Sequence, residues 1–518
     1  MLARVRLSDW PPRSGQYLHD WNAFMAHEHV SPNHSSDRSD EGTGTVPIKV
    51  ILFVLVFTAF VMMLNETTLA VALPSIMDDY DITATTAQWL LTGFMLTMAV
   101  VMPATGWILE RFSTRSVFIF ATVIFLVGTI IAAIAPTFII MLLARVAQAV
   151  GTAIIMPLLM TVTMTVVPIE IRGSVMGLIS VVMAVAPALG PSVAGFVLNF
   201  TTWHGIFWVM VPLVFLAALV GIMWLTNVGE TKKAPLDFLS VILSALAFGG
   251  LIFGVSSIGA IRSGGPTAEL AIVLFITGLI SLALFVWRQI ALGRTDRALL
   301  DLRPLRYRNY TLSILVLLFL FGAMLGVLNT LPLYLQGSLL VTALTSGLVL
   351  LPGGLFEGFI SPFVGRIYDR VGPRPLIIPG MILSVGTLFA FATVDENTSR
   401  GFIIALHVIF SGGLGLLFTP LMTTALSSVP RTLYSHGSAI LNTLQQLAGA
   451  AGTAVMISIF DTVTAESLAN GANEVVAQAD GANSAFFASA LTACVALVLS
   501  FFVTKPKQDI DVTELVAE

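Results

Sequence analysis

Three ionisable side chains stand where a water-soluble protein would not place them: Glu66, Arg145 and Glu357 each lie within a long run of apolar residues. A carboxyl group in such a run binds or releases its proton according to whether water or a cation reaches it. An arginine there normally faces a cavity or a partner. The chemistry on offer is therefore proton exchange and charge pairing in an apolar medium. Glu66 sits in Leu64-Asn65-Glu66-Thr67-Thr68, and Arg145 opens the run Arg145-Val146-Ala147-Gln148-Ala149-Val150-Gly151. Glu357 follows Pro352-Gly353-Gly354, an interruption that loosens a helix, as expected beside a membrane cavity. Each has a plainer alternative. Arg145 can snorkel toward a helix end, and Glu357 can be a permanently protonated acid bonded to a neighbour. His407 falls near the repeat position of Arg145, where a structural role is the plainer reading; Asn329, Asn442, Gln445 and Gln446 suit either a cavity wall or bonds between helices.

The elements that must carry these residues follow from composition. Of 518 residues, 56% are hydrophobic and 10% charged, with a mean hydropathy of +0.93, whereas a soluble domain carries about 25% charged residues. Runs of about 20 apolar residues are long enough to cross a bilayer as helices, and their continuity excludes the alternation of a β-barrel. The fold class is an all-α polytopic membrane protein. Fourteen spans are expected, the first at 50–73, the thirteenth at 436–460 and the last at 484–504. Of the 25 basic residues, all but Arg145, Arg262 and Arg400 fall in the N-terminal tail, the C-terminus or the loops and loop edges after even-numbered spans. By the positive-inside rule those segments, and both termini, are cytoplasmic. The opposite loops are acidic or neutral, with Asp78, Asp79 and Asp81 after the first span and Asp461, Glu466, Glu474 and Asp480 in a long loop before the last.

A repeat organises the spans. Gly106-Trp107-Ile108-Leu109-Glu110-Arg111-Phe112-Ser113-Thr114-Arg115 and Gly365-Arg366-Ile367-Tyr368-Asp369-Arg370-Val371-Gly372-Pro373-Arg374, 259 positions apart, share the order of small residue, acid, Arg and closing Arg. Arg172-Gly173-Ser174 and His436-Gly437-Ser438 echo each other at the fifth helix of each half. The expected organisation is a disordered cytoplasmic tail at 1–48, where Met25 offers an alternative start, a six-helix bundle at 49–226, two inserted helices and a linker at 227–309, a second six-helix bundle at 310–505 and a cytoplasmic tail at 506–518. The basic stretch 288–309 reads as a positive-inside anchor.

With these motifs in view the chain resembles the major facilitator superfamily, specifically its fourteen-helix drug:proton antiporters, over roughly residues 49–505. The Asn65-Glu66-Thr67 form of the first-span motif is similar to the lincomycin-resistance branch. The resemblance implies a 6 + 2 + 6 helical fold and alternating access. Its twin loops (Gly106, Glu110, Arg111, Arg115; Gly365, Arg366, Asp369, Arg370, Gly372, Arg374) would clamp neighbouring helices on the cytoplasmic side. The N-terminal copy, with Glu110 for the usual Asp and Ser113 for the second Gly, is expected to clamp more loosely. The run from Ala186 to Gly195 is similar to the antiporter motif, with Gly190 and Gly195 admitting a neighbouring helix and Pro191 bending the span. Glu66, Arg145 and Glu357 are the expected proton-coupling residues. A cavity lined by Asn65, Trp89, Phe94, Gln148, Asn329, Phe356 and Asn442, with Phe321 and Met98, Met156 and Met324 nearby, would take an amphipathic substrate by shape.

The implied function is proton-driven export of amphipathic drugs or toxins from the cell membrane; export of an endogenous lipid or metabolite uses the same machinery. A membrane-embedded enzyme would need a nucleophile, a metal set or a phosphate loop, and the sequence carries none of these motifs. With Cys494 the sole cysteine, neither an intrachain disulfide nor a cysteine metal cluster is expected. No cofactor is expected, nor any nucleic acid; the expected partners are a small amphipathic molecule, protons and the bilayer, with the chain acting as a monomer.

Overall fold

The structure, a computed structural model, describes residues 48–228, 231, 235–257 and 266–506. The expected tails at 1–48 and 506–518 lie, apart from Ile48 and Pro506, outside the described residues. Fourteen helices among those residues are long and apolar enough to span a membrane. In order they are α1 Ile48–Tyr80, α2 Trp89–Arg111, α3 Thr114–Ala133, α4 Phe138–Val166, α5 Arg172–Leu198, α6 His204–Trp224, α7 Phe238–Ser256, α8 Pro266–Gly293, α9 Arg308–Gly337, α10 Ala343–Val371, α11 Arg374–Phe391, α12 Arg400–Ser427, α13 Tyr434–Ala469 and α14 Glu474–Ser500. Apolar runs adopt this form because a helix satisfies its backbone bonds within itself. Several starts are set by capping side chains: Ser113, Thr137, Thr342, Ser399 and Asn473 each accept from the amide three residues on.

Three helices outrun their apolar cores. α1 continues through Pro74 to Tyr80, which puts Asp78 and Asp79 in its last turn. Trp203 Nε1 donates to Asp79 at 3.1 Å and the Tyr80 hydroxyl donates to the Ala135 carbonyl at 2.8 Å, so the extension is anchored. At the other end of the chain, Asp461, Glu466, Glu474 and Asp480 are not in a long loop as expected. α13 runs on to Ala469 and α14 begins at Glu474, and Ser467 on the one donates to Asp480 on the other at 2.6 Å. Hydropathy marks where the hydrocarbon ends, whereas helical hydrogen bonds are local and persist into water.

Packing follows the repeat. In the first half α1 lies against α5 and α6, α2 against α4, and α3 against α4 and α6; in the second, α9 lies against α13 and α14, α10 against α12, and α11 against α12 and α14. The halves meet through α5 with α10 and through α2 with α13, so the second helix of each half packs on the fifth of the other. α7 and α8 form an antiparallel pair in which Gly250 and Gly278 let the backbones touch: a Cβ on Gly250 would come within 3.0 Å of Gly278 Cα. α7 rests on α2 and α13, so the insertion flanks one of the two inter-half seams and not the other. The segment after α8 is more than a surface anchor, because Leu299, Leu300 and Asp301 within it are at most 3% exposed.

Candidate functional site

Arg145, midway along the first half of α4, is fully buried. Its guanidinium lies 4.2 Å above the Phe94 ring, donates through Nη1 to Gln148 Oε1 at 2.8 Å and to Asn65 Oδ1 at 3.3 Å, and reaches the Leu90 carbonyl from Nε at 3.5 Å. Gln148 in turn donates to the Thr129 hydroxyl at 3.0 Å. Groups from α1, α2 and α4 thus converge on one cation, and α3 joins them through Gln148. The planar fork of arginine suits this set of acceptors and the ring face in a way that a lysine would not. Glu66, the residue after Asn65, makes no ion pair within 4.0 Å among the described residues, yet lies close enough for its charge to act on Arg145. Two polar atoms in the cluster, Arg145 Nη2 and Asn65 Nδ2, are buried without a hydrogen-bond partner. The cluster therefore holds spare donors beside a carboxylic acid that touches none of them.

Glycines place this acid against a second helix. A Cβ on Gly190 would run into the Thr67 side chain and come within 3.2 Å of the Thr67 backbone, so α5 presses on α1 one residue from Glu66. Gly195, expected to serve the same close approach, has nothing within 4 Å of the position its Cβ would take. It lies past the packed face of α5, and its motif role as a contact is corrected here. Helix α5 itself runs unbroken through Pro187 and Pro191.

In the second half Glu357 is partly exposed within α10, and its Cγ stands 3.6 Å from where a Gly415 Cβ would be, so it faces α12. His407 on α12 is buried with Nδ1 unpartnered, and the ring packs directly on Gly353, one helical turn before Glu357. The two halves thus carry chemically different pairs that the repeat does not relate: an acid on the first helix of one half near an Arg on its fourth, and an acid on the second helix of the other half near a His on its fourth.

The twin loops and the twin fifth-helix starts, separate features in the sequence, meet across the seams. Asp369 accepts from the Gly173 amide at 2.7 Å, the Ser174 amide at 2.8 Å and the Ser174 hydroxyl at 2.6 Å, which seats a carboxylate on the N-terminus of α5. Gly365 permits it: a Cβ there would collide with the Gly173 carbonyl. On the other seam Glu110 Oε1 lies 3.4 Å from His436 Nε2 at the start of α13, and a Cβ on Gly106 would come within 2.5 Å of His436 Nδ1. The carboxylate of the second loop thus meets backbone amides and a hydroxyl, whereas that of the first meets an imidazole. The closing arginines hold each loop to its own half: Arg115 donates to the Ile222 carbonyl at 2.7 Å near the end of α6, and Arg374 donates to the Val503 carbonyl at 2.9 Å just past α14. Gly372 takes φ +79°, which favours glycine, whereas Ser113 at the matching place caps α3 instead. Arg111 and Arg366 lie 6.0 and 5.7 Å from the rings of Phe112 and Phe363. Further inter-half bonds, Thr161 with Ser438 and Thr419 with Ser180, both at 2.7 Å, continue the contact inward from the loop end.

The expected cavity residues do not form one surface. Phe94 and Gln148 are consumed by the arginine cluster and Asn65 is buried beside it. Asn442 is buried at the seam, donating to Ser438 and to Met160 Sδ. Asn329 is exposed within α9 and donates to Thr453 Oγ1 at 3.2 Å, and Phe356 is 41% exposed on α10. Trp89 is turned away from the interior: it stacks on Phe253 of α7 at 5.8 Å and lines an apolar groove of about 410 Å³ between α2 and the inserted helices. No group of three or more metal-ligating side chains occurs among the described residues.

Fourteen helices long and apolar enough to span a membrane, twelve of them in two matching halves, agree with what sequence comparison finds. The Major Facilitator Superfamily description matches residues 55–453. The chain belongs to the major facilitator superfamily. It is 40% identical over 476 residues to "Lincomycin resistance protein LmrB" of Listeria monocytogenes, covering 90% of this chain and 99% of that one. The Bacillus subtilis protein of the same name is 38% identical over 89% of this chain and 96% of its own length. A "Multidrug resistance protein B homolog" of Mycobacterium tuberculosis is 28% identical over 76% of this chain and 72% of its own. Among solved structures, the human organic anion transporter MFSD10 superposes with a TM-score of 0.62 at 14% identity, covering 88% of this chain and 99% of that one. The proton:xylose symporter XylE gives 0.63 at 13%, covering 91% and 99%. These two establish the fold. The protein is a membrane transporter of this superfamily and not an enzyme.

Proposed function

We propose that the protein exports amphipathic drugs or other toxic compounds across the cell membrane in exchange for protons, as a monomer with both termini in the cytoplasm. The observation that carries the reading is the arrangement at α1 and α4: a carboxylic acid, Glu66, stands beside a buried arginine whose spare donors it does not occupy. Such an acid has two settings. Deprotonated, it is drawn to Arg145; protonated, it leaves Arg145 to Asn65, Gln148 and Phe94. A cycle that couples two flows needs a site whose affinity differs between two conformations, and the twin gates at the loop end supply two conformations. The names of the 40% relatives support a drug as cargo, and the excess of Arg and Lys on the loop side supports the orientation. Exposed Asn329 and Phe356, on α9 and α10, offer one polar and one aromatic surface to a substrate of mixed character.

The test is substrate-induced proton release, or transport driven by a pH jump, in proteoliposomes. Glu66→Gln is expected to abolish proton-driven efflux and retain substrate binding, with Glu357→Gln causing a smaller, substrate-dependent loss. Full coupling in Glu66→Gln with loss in Glu357→Gln would move the proton to the second half and overturn the assignment.

A further inference from the structure

The two gates are unequal in what they depend on. Asp369 docks on backbone amides of α5, groups that are in place whenever that helix is formed. Glu110 instead meets an imidazole, and an imidazole must be held in one tautomer and one orientation to present a donor. The holding group comes from outside both six-helix halves. The Asp301 amide donates to His436 Nδ1 at 3.2 Å, which leaves the ring proton on Nε2, 3.4 Å from Glu110 Oε1. Asp301 belongs to the segment between α8 and α9, and it is fixed in turn. Arg303 donates from its amide and from Nε to the Asp301 carboxylate at 2.8 and 2.6 Å. The neighbouring Leu300 amide donates to Gln289 Oε1 at 3.1 Å, and Gln289 Nε2 donates to Ser240 Oγ at 2.7 Å. Ser240 donates to Asp237, which is paired with Arg288 at 2.7 Å. A polar path thus runs from the α7–α8 pair through the following segment to the gate on α2.

We propose that His436 and Asp301 are positioning residues of the Glu110 gate, so that the segment following the inserted helices sets how readily that gate opens. Among the described residues the inserted pair packs against α2 and α13, the seam this gate closes. The inference rests on the alternating-access part of the proposed function but not on proton coupling, and its readout is a conformation rather than transport.

The experiment is pulsed electron–electron distance measurement between spin labels on Glu170→Cys and Thr432→Cys in a Cys494→Ala background, in lipid nanodiscs without substrate. Both label sites are exposed and lie in the matching short links before α5 and α13. Losing one positioning hydrogen bond should raise the open-to-closed ratio about three- to tenfold in His436→Ala, and move it the same way in Gln289→Leu and Arg303→Gln. Arg303→Lys, which keeps a cation on Asp301, should return the distribution toward the wild type. Arg303 is partly exposed, with its side chain 42% accessible, so its variants test the idea even if a buried change at Gln289 prevents folding. The proposal is overturned if Arg303→Gln gives the wild-type distribution while His436→Ala shifts it, because His436 would then act without the linking segment; it is equally overturned if His436→Ala shifts nothing.

Discussion

Replacing Asp369 by Asn tests the better-defined gate with the loss of little more than a charge. The carboxylate accepts three bonds of 2.6–2.8 Å from Gly173 and Ser174 at the N-terminus of α5. Asparagine keeps one acceptor oxygen and turns an NH₂ group toward the donors that the other oxygen served. The lost charge-assisted bonding is worth about 1.5–3 kcal/mol, and the lost charge–dipole contact about 0.3–1 kcal/mol. Asp369 is partly exposed, so water makes up some of the deficit and a net of about 2 kcal/mol is reasonable, or roughly 30-fold in the ratio of closed to open states. A bundle of this size does not unfold on that scale, but a conformational equilibrium moves decisively. In proteoliposomes, turnover should fall severalfold while substrate binding and the yield of folded protein stay near wild type. The 170–432 label distance should shift to the open population. Wild-type turnover together with an unchanged distance distribution would refute the reasoning, since it would mean that the three short bonds carry no bias between states.

Three further outcomes are expected. Arg145→Lys should cut transport at least tenfold with the protein still inserted, because an ammonium cannot serve Asn65, Gln148 and the Phe94 face together; near-normal efflux from cells expressing the variant would count against the cluster. Asp237 is pulled down to about 2 chiefly by its hydrogen bonds with Arg288, with Ser240 assisting. A depressed carboxyl adds stability that is complete above the ordinary Asp range near 4 and disappears as pH falls toward 2. The wild type should therefore hold a thermal-stability advantage over Arg288→Gln that is flat at neutral pH, declines below about pH 4 and is largely gone near pH 2, and an advantage unchanged at pH 2 would contradict it. Finally, a cysteine at position 370 in a Cys494→Ala background should resist an impermeant maleimide applied to intact cells and react in inside-out vesicles; labelling from outside would reverse the orientation.

Much of this protein is legible residue by residue. A spanning helix closes its hydrogen bonds within one segment, so the number of spans, the 6 + 2 + 6 order and the duplicated loops can all be read from contiguous sequence. Glu66, Arg145 and Glu357 stand out for the same reason: a charge in an apolar run is conspicuous without any knowledge of its neighbours. Tertiary structure decided which residues meet. The Glu110 loop and the Asp369 loop each close on the fifth helix of the opposite half, a pairing of residues 326 and 196 positions apart that no local pattern encodes. Arg145 found Gln148 one turn along its own helix, which its spacing allowed, but also Asn65, Leu90 and Phe94 on other helices, which fixed those residues as structural partners. Trp89 turned toward the inserted pair, Gly195 faced open space, and the segment around Asp301 was drawn beneath the bundle to His436. Side-chain direction on a spanning helix depends on its rotation about its axis, and that rotation is set by packing against neighbours distant in the chain. Hydropathy reports that a helix is in the membrane; only the packed bundle determines which way each of its faces looks.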